Sequence, residues 1–257
     1  MFYNLFINRL QDLISKVNET QGETIVQVAK HCADAIAAER WVHLFGAGHS
    51  AIPVMDTFPR IGSFVGFHPI LELNLSSNGH PVGGMAQRQA SFLERVEGYA
   101  EAILANHNFS PQDVLILFSH SGINQLIVDM ARLGKEKGMT VVGVTSVEHS
   151  SRNKPRHSSG LRLFEAVDYV LDTCVPEGDA LVEIEGLDYP VASGSTIVSD
   201  VIMISLVAQI AGELAQRNYD PIIWPSHNIN TTPEAYAKMA TQEERVLTEY
   251  WKRLAKS

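Results

Sequence analysis

The stretch Val114–Asn124 (VLILFSHSGIN) constrains the fold more than any other part of the chain. The apolar run Val114–Phe118 is followed at once by Ser119–Gly122, a turn rich in hydroxyl groups. Such a run predicts a strand buried on both faces of a parallel sheet. Residues 123–133 then carry apolar side chains at helical spacing. A strand, a tight turn and a helix start concentrate side-chain donors and free backbone N–H groups, which is typical of an anion-binding site.

A second junction of the same kind lies earlier in the chain. Residues 41–45 (WVHLF) predict a short strand, and Gly46–Ser50 (GAGHS) follows as a turn before another helical segment. In open parallel sheets, ligands lie beyond the carboxyl ends of the strands. The two turns together therefore predict one ligand held between two loops.

The rest of the chain alternates strands and helices, which predicts an α/β fold with right-handed crossovers and a doubly wound sheet. Further strands are expected at 140–144 and 169–173; residues 70–75 are a weaker candidate, and 181–184 with 189–192 are ambiguous, as a fifth strand and its approach. Helices are expected at 3–18 and 23–39, broken at Gly22, and at 86–106, with Phe92 on its buried stripe, 196–216 and 234–255.

Composition narrows the classes of function. The 257 residues, 45% of them apolar, are enough for one domain with a full core. A net charge of -9 argues against a general nucleic-acid or anionic-membrane binder, because those proteins carry basic patches, but it leaves a phosphorylated small molecule open.

The cysteines and the most apolar segment predict a cytoplasmic protein without a membrane span. Cys32 and Cys174 lack zinc-binding spacing and are expected to be reduced, buried thiols. Residues 197–210 are the most apolar segment, but Asp200 interrupts them and they are shorter than the ~20 residues that a span needs. A buried helix is expected there.

Residues 149–160 (HSSRNKPRHSSG) are the least regular and most basic part of the chain. They have two interpretations of equal weight, a solvated loop or a segment close to the ligand.

The SHSGIN turn, the GAGHS turn and the strand leading to Thr145 and Ser146 together resemble the SIS (sugar isomerase) family of phosphosugar-binding domains. The resemblance covers roughly residues 20–215 of a single domain, with 1–19 as an N-terminal helix and 216–257 as a C-terminal extension. Later segments resemble a bacterial subgroup of that family. The resemblance implies a three-layer α/β/α sandwich around a five-stranded parallel sheet, and a homodimer or higher homo-oligomer that builds the site.

The resemblance also implies which residues contact the ligand. The expected phosphate-binding residues are Gly48, His49, Ser50, Ser119, His120, Ser121, Gly122 and Asn124, and the expected substrate contacts are Thr145, Ser146 and His157. Asn124 stands where the family usually has Thr, and an amide donates to phosphate as a hydroxyl does. Ser121 has a second interpretation as the N-cap of the following helix, worth ~1 kcal/mol, and the two roles are compatible.

The catalytic residues are less clearly marked. Aldose–ketose isomerisation needs a base to move a proton between adjacent carbons. Phosphoheptose isomerases, one branch of the family, carry His and Glu metal ligands on the helix after the first turn. That segment here is AIPVMDTFPR and has neither residue, so no metal and no cofactor are expected.

A second branch, the N-acetylmuramic acid 6-phosphate etherases, has a VEGAE segment whose glutamate acts as base. The segment RVEGYAE places Glu97 at that position, so Glu97 is the leading candidate base and Glu94 the second. The alternative is a solvated glutamate stripe on an amphipathic helix. His80, His157 and His227 are candidate acids or substrate contacts, and each has a surface or structural histidine as the alternative.

These observations favour a phosphosugar isomerase. The alternatives are a phosphosugar lyase or etherase, a non-catalytic phosphosugar sensor and a structural oligomerisation module. A sensor that regulates transcription usually carries a basic helix-turn-helix domain, and this N-terminal segment is short and not basic.

Overall fold

The structure, a computed structural model, describes residues 1–75 and 87–255. The strands are β1 (Val42–Gly46), β2 (Phe67–Ile70), β3 (Val114–Phe118), β4 (Thr140–Thr145), β5 (Tyr169–Asp172), β6 (Ala180–Val182) and β7 (Val191–Ser193). The helices are α1 (Phe2–Ala37), α2 (Ile52–Thr57), α3 (Gln87–Leu93), α4 (Tyr99–Leu104), α5 (Gln125–Glu136), α6 (Val147–Arg152), α7 (Leu163–Ala166), α8 (Ser195–Gln216) and α9 (Pro233–Leu254). Short 3-10 segments cover Gly48–Ala51 and Leu73–Leu75.

A five-stranded parallel sheet in the order β2-β1-β3-β4-β5 forms the middle layer. Every residue of β1 and β3 is buried, as expected for strands covered on both faces. Along β3, Ile116 packs with the core that α1 and α8 complete, whereas Leu115 and Leu117 pack with α4, α5 and α7 on the other face. The predicted three-layer α/β/α sandwich with a five-stranded parallel sheet is confirmed.

Helix α1 is continuous, so the predicted break at Gly22 is wrong. A glycine inside a helix costs ~1 kcal/mol, but nothing crowds this position. The second half of the helix buries Val28, Cys32 and Ile36 completely against the sheet and α8. That burial outweighs the glycine penalty.

The predicted helix over 86–106 is instead two short helices, α3 and α4, separated by residues 94–98. Gly98 precedes α4 as its N-cap with a φ of +84°, in the left-handed region, and its N–H donates to Asp129 Oδ2 over 2.9 Å. Phe92, expected on the buried stripe of that helix, is 67% exposed. Glu94 directly follows α3 and Glu97 lies just before α4, so the two glutamates belong to the stretch between the helices and do not share one helical face.

The fifth strand of the sheet is β2, which ends at Ile70, so the weaker candidate at 70–75 overlaps it at one residue only. Strands β6 and β7 pair with each other, antiparallel, in a separate ribbon, so they are not a fifth strand and its approach. The basic segment 149–160 begins as helix α6 and becomes irregular after Arg152.

Helix α8 is, among the described residues, the one helix long and apolar enough to cross a membrane by length and composition. Its residues Val198, Ile202, Leu206 and Ile210 are buried in the core shared with α1. The helix therefore has the pattern of a buried core helix, as predicted.

Arg253 fastens the C-terminal helix α9 to the end of α1. Its side chain is only 1% exposed and pairs with Glu249 over 2.8 Å. The guanidinium also donates to the carbonyl oxygens of Ile36 and Arg40, over 3.3 and 3.4 Å, and to the Tyr219 hydroxyl over 2.9 Å. Carbonyl groups at a helix end lack partners within the helix, so this side chain completes the end of α1.

We expect Arg253→Ala to lower the free energy of unfolding by about 3 kcal/mol, because it empties the site of a fully buried side chain, removes the donor to the Arg40 carbonyl oxygen and leaves Lys252 as the partner of Glu249. In a chain of this size that loss lowers Tm by about 6–12 °C in thermal unfolding. The control is Arg245→Ala, also on α9, where the side chain is half exposed and pairs with Asp220. It should cost less than about 0.5 kcal/mol. Equal shifts for the two variants would contradict the assigned role.

A histidine cluster lies at the amino ends of the strands, on the edge opposite the two serine turns. Nδ1 of His43 lies 2.9 Å from Nδ1 of its neighbour on β2, His68, whose ring packs against His107. Asp113 Oδ2 lies 3.3 Å from His43 Nε2 and 2.9 Å from an Arg40 nitrogen. Burial lowers the pKa of His68 to about 3, and His43 and His107 add to the shift.

We predict that this cluster makes the free energy of unfolding decrease as the pH is lowered. Because the folded-state pKa of His68 lies below its ordinary value of 6.5, the unfolded chain binds the proton first as the pH falls. The contribution is intact above about pH 6.5 and is lost progressively towards about pH 3. His68→Phe, which keeps a ring in place, should reduce the slope of unfolding free energy against pH by up to about 1.4 kcal/mol per pH unit. An unchanged slope in denaturant titrations at pH 4 to 7 would contradict the prediction.

Candidate functional site

A cavity of about 240 Å³ opens at the carboxyl edge of the sheet, beyond β1 and β3. Both predicted turns line it, together with α3, the start of α5 and the segments before and at the start of α8. The lining residues are Phe45, Ala47, Gly48, His49, Ser50, Gln87, Glu94, Phe118, Ser119, His120, Ser121, Asn124, Leu126, Ile127, Asp179 and Ser195. Seven of the eight predicted phosphate-binding residues are among them; Gly122 is not.

The first turn depends on Gly46, the last residue of β1. A Cβ at this position would lie 2.1 Å from the carbonyl oxygen of Ser50, so a side chain is excluded there. Gly48 has a φ of +59°, which starts the 3-10 segment. The tight return leaves Ser50 partly buried at the cavity and His49 exposed at its mouth.

The second turn is held by its own backbone and by β4. The Ser119 N–H donates to the carbonyl oxygen of Val144 over 3.0 Å, and the Gly122 N–H donates to Ser119 Oγ over 3.1 Å. Gly122 has a φ of +61°, and a Cβ there would lie 2.8 Å from Thr145 Oγ1. The Gly122 N–H is therefore occupied within the turn, while the Ser119 hydroxyl keeps its own proton for a ligand.

Several donors in the cavity have no partner within residues 1–75 and 87–255. They are the hydroxyl groups of Ser50 and Ser121 and the backbone N–H groups of His120 and Ser121. Helix α5 begins directly behind them with Asn124 as N-cap, and no side chain caps it. Ser121 is thus not the N-cap of this helix. The Leu126 N–H in the first turn of α5 donates to the Glu94 carbonyl oxygen over 3.1 Å, but the helix still directs its positive dipole end at this side of the cavity, which therefore suits an anion.

Asn124 uses both ends of its amide within the protein. Its Nδ2 donates to Glu94 Oε2 over 2.7 Å, and its Oδ1 accepts from Arg156 Nη1 over 2.6 Å. These partners make Asn124 a bridge between a carboxylate and a guanidinium. The basic segment 149–160 therefore reaches the edge of the site through Arg156.

Glu94 places a carboxylate in the cavity beside the serine turns. Burial raises its pKa above the ordinary value, although the hydrogen bond from Asn124 and the charges of Arg95 and Arg156 oppose the shift. A half-buried carboxylate with a raised pKa, held by one hydrogen bond, is the type of group that accepts a proton from a substrate.

Glu97 does not line the cavity. Its side chain is 40% exposed and lies 3.2 Å from His157 Nε2. Both the backbone N–H and the hydroxyl group of Ser158 donate to it. The hydroxyl hydrogen bond is the main cause that lowers the pKa of Glu97. These contacts join the residues before Gly98 to the basic segment 149–160.

His157, an expected substrate contact, is also outside the cavity. Its ring is fully buried, with Nε2 2.8 Å from Asp129 Oδ1. The backbone N–H of Ser159 donates to Nδ1 over 3.0 Å. Since Asp129 also accepts from Gly98, the histidine joins the basic loop to the turn between α3 and α4.

Thr145 and Ser146 are completely buried. Thr145 Oγ1 donates to the carbonyl oxygen of His120, and Ser146 Oγ donates to that of Val175 over 2.6 Å. Ser146 Oγ also accepts from the His149 N–H as the N-cap of α6. The Thr145 side chain thus supports the second turn, whereas that of Ser146 joins the start of α6 to the segment after β5, and neither residue lines the cavity.

Of the other histidines that the sequence singles out, His80 lies outside the described residues. His227 is 3.1 Å from Glu243, at the start of the C-terminal segment, and does not line the cavity. Within the described residues, no group of three or more His, Cys, Asp or Glu side chains is arranged to hold a metal ion.

Sequence reasoning missed Asp179 and Ser195, which form the far wall of the cavity. Asp179 has a φ of +73° and accepts from the N–H groups of Gly194 and Ser195 and from the Ser195 hydroxyl, over 3.0, 2.7 and 2.8 Å. It therefore caps α8 from a distant position in the sequence. In the sequence, the pair Gly194–Ser195 before a long apolar segment indicates a helix start. It does not indicate that Asp179, sixteen residues upstream, caps that helix.

A larger cavity, of about 620 Å³, lies between the first half of α1 and the β6 region. It shares no lining residue with the first cavity and contains none of the predicted site residues.

Comparison with known proteins places the chain in a family. Residues 5–146 match the SIS domain. UPF0309 proteins of Oceanobacillus iheyensis and Halalkalibacterium halodurans are 36% and 35% identical to it over 225 residues; the alignments cover 88% of this chain and 89% and 88% of those proteins. The chain belongs to the SIS domain family, and the family resemblance inferred from the two turns is confirmed.

A solved structure supports the same fold. A phosphoheptose isomerase of Neisseria gonorrhoeae superposes with a TM-score of 0.51 at 12% identity, over 80% of this chain and 95% of that one. At this identity the likeness concerns the fold alone.

Proposed function

We propose that the protein binds a phosphorylated sugar or amino sugar in the 240 Å³ cavity and isomerises it. The observation that carries the proposal is the convergence of Ser50, Ser119 and Ser121, from two separate turns, on one cavity at the start of α5. In this proposal the phosphate lies against these hydroxyl groups, and the sugar extends into the rest of the cavity.

Physical chemistry supports a phosphate at this position. Each neutral donor hydrogen-bonds to a charged oxygen, and such bonds are stronger than those between neutral partners. The positive end of α5 adds to them. The charged side chains among the described lining residues are the carboxylates Glu94 and Asp179, so donors and helix dipole, rather than a cation, would hold the dianion. The volume is below the ~300–1,000 Å³ of drug-sized pockets, which fits a monosaccharide.

Glu94 is the base in the proposed reaction. Its carboxylate removes a proton from the carbon next to the carbonyl group, and the C–H electron pair forms a C=C bond as the carbonyl oxygen takes the negative charge. A proton then passes between the two oxygens of this enediolate, the protonated Glu94 gives a proton to the former carbonyl carbon, and the neighbouring carbon becomes the carbonyl. Exchange of the Glu94 proton with solvent before its return places deuterium on carbon in D₂O. The raised pKa brings the group closer to a pH at which it can accept and release a proton. Glu97, with its lowered pKa and its contacts to Ser158, is the weaker candidate.

The same base would serve a lyase, in which the enediolate expels a leaving group from the adjacent carbon. A sensor would use only the serine turns and the start of α5, which are proposed to hold the phosphate. Glu94 lies in the cavity beside the serine turns with a pKa that burial raises, and a carboxylate in this position supports an enzyme over a sensor.

We also propose that the whole chain is one SIS domain that forms homodimers or higher homo-oligomers in the cytoplasm. The first half of α1 supports self-association, since Phe2, Leu5 and Ile7 on it are exposed. Free thiols at Cys32 and Cys174 are consistent with a reducing compartment.

Ser121→Ala tests the binding proposal. Losing one hydrogen bond to a charged phosphate should weaken the affinity for inorganic phosphate and for sugar phosphates about 10- to 100-fold in calorimetric titrations. Ser205→Ala, which removes an exposed serine whose hydroxyl donates to Val201 within α8, is the matched control and should leave the affinity unchanged. Unchanged affinity in Ser121→Ala would remove the phosphate from this wall.

The proton-transfer step is tested by hydrogen exchange. Glucose 6-phosphate, fructose 6-phosphate and arabinose 5-phosphate are incubated with the protein in D₂O, and NMR follows deuterium at the carbons next to the carbonyl group. Glu94→Gln should slow exchange by ~10²–10⁴-fold while retaining binding. Glu97→Gln, the matched control, should exchange near the wild-type rate. The opposite pattern would restore Glu97 as the base, and binding without exchange in the wild type would favour the sensor.

A further inference from the structure

The His120 side chain lies in the wall of the cavity without a partner. Both ring nitrogens are buried, and neither has a hydrogen-bond partner within the described residues. Buried polar atoms in native proteins are nearly always hydrogen-bonded, and an exception next to a cavity indicates a ligand or water that completes it. His120 is among the predicted phosphate-binding residues, and its backbone N–H has no partner within the described residues. The unpartnered ring is a second, independent observation on the same residue.

The surroundings of the ring define its chemistry. The His149 ring lies 4.6 Å from it between centroids, and its Nδ1 accepts from the Gly178 N–H over 3.1 Å. Burial lowers the pKa of His120 to about 4, although the nearby Asp179 charge opposes the shift. At neutral pH the imidazole is therefore uncharged and offers one N–H donor and one acceptor.

Asp179 and Ser195 line the same cavity as His120, and the Asp179 charge acts on the His120 ring. Asp179 Oδ2 accepts from the Ser195 hydroxyl over 2.8 Å, and that hydroxyl oxygen keeps lone pairs for another donor. A sugar hydroxyl is both donor and acceptor, so it matches an uncharged imidazole beside a serine oxygen. The second side-chain torsion of histidine is broad, so the ring can turn a nitrogen towards a ligand at small cost.

We propose that His120 and Ser195 form a subsite for the hydroxyl groups of the sugar, distinct from the serine turns that hold the phosphate, and that this subsite selects among sugar phosphates. The inference rests on the proposed function, because it needs the phosphate to anchor the ligand. A subsite of this kind adds affinity for a sugar phosphate but none for inorganic phosphate.

Calorimetry with two kinds of probe tests it. Inorganic phosphate measures the phosphate wall, and glucose 6-phosphate, fructose 6-phosphate and arabinose 5-phosphate measure the whole site. In the wild type at least one sugar phosphate should bind ~10-fold tighter than inorganic phosphate. His120→Phe, which keeps an aromatic ring in the wall, should remove that advantage and leave phosphate affinity unchanged. His120→Gln, which restores a donor and an acceptor, should recover part of it.

Ser195→Ala provides an independent variant, since the backbone N–H that Asp179 accepts remains. Ser195→Ala should also reduce the excess affinity for sugar phosphates over inorganic phosphate. His227→Phe, which lies outside the cavity, should leave that excess affinity unchanged. An advantage that persists in both His120→Phe and Ser195→Ala would overturn the subsite, as would a wild type that binds all sugar phosphates no tighter than inorganic phosphate. A wild type that binds neither probe would instead overturn the proposed function, and the subsite with it.

Discussion

The parallel pairing of β1 with β3 is the constraint on which the candidate site depends. It sets Gly46 beside Phe118 in register, so the GAGHS and SHSGIN turns leave the sheet at the same edge although almost seventy residues separate them. Burial of every residue in both strands holds that register, because a slip by one residue would turn apolar side chains from one core to the other. The two glycines that admit no side chain, Gly46 and Gly122, then bring the serines back over the strand ends.

Charge is divided between the two sides of the candidate site. Neutral donors and a helix start form the side proposed for the phosphate, while the carboxylates of Glu94 and Asp179 line the rest of the cavity. Asp179 is compensated by three donors at the start of α8, and Glu94 is held by Asn124, which in turn contacts Arg156. The positive charge of the basic segment thus reaches Glu94 through an amide. Asp179 and Ser195 also fix the start of α8, so the shape of the cavity depends on the packing of that helix.

Sequence alone was sufficient for the layers of the fold and for the serine turns, because buried strands and glycine–serine turns have strong local signals. It failed where a local pattern competed with tertiary contacts. Gly22 predicted a break that packing on α8 overrides, and the apolar stripe over 86–106 predicted one helix where residues 94–98 separate two. The family resemblance favoured Glu97 as the base. In the structure Glu97 contacts His157 of the basic segment 149–160, whereas Glu94 lines the cavity. No sequence pattern predicted the role of Asp179, because that residue contacts the start of α8 only in the folded chain.

We propose that the carboxyl edge of β1 and β3 binds the phosphate of a sugar phosphate. A crystal structure of the protein grown with saturating glucose 6-phosphate or arabinose 5-phosphate is the decisive measurement. We expect phosphate density within hydrogen-bonding distance of the hydroxyl groups of Ser50, Ser119 and Ser121, at the start of α5, with the sugar directed towards Glu94 and His120. Phosphate bound elsewhere on the molecule, or an empty cavity at saturating ligand, would contradict it.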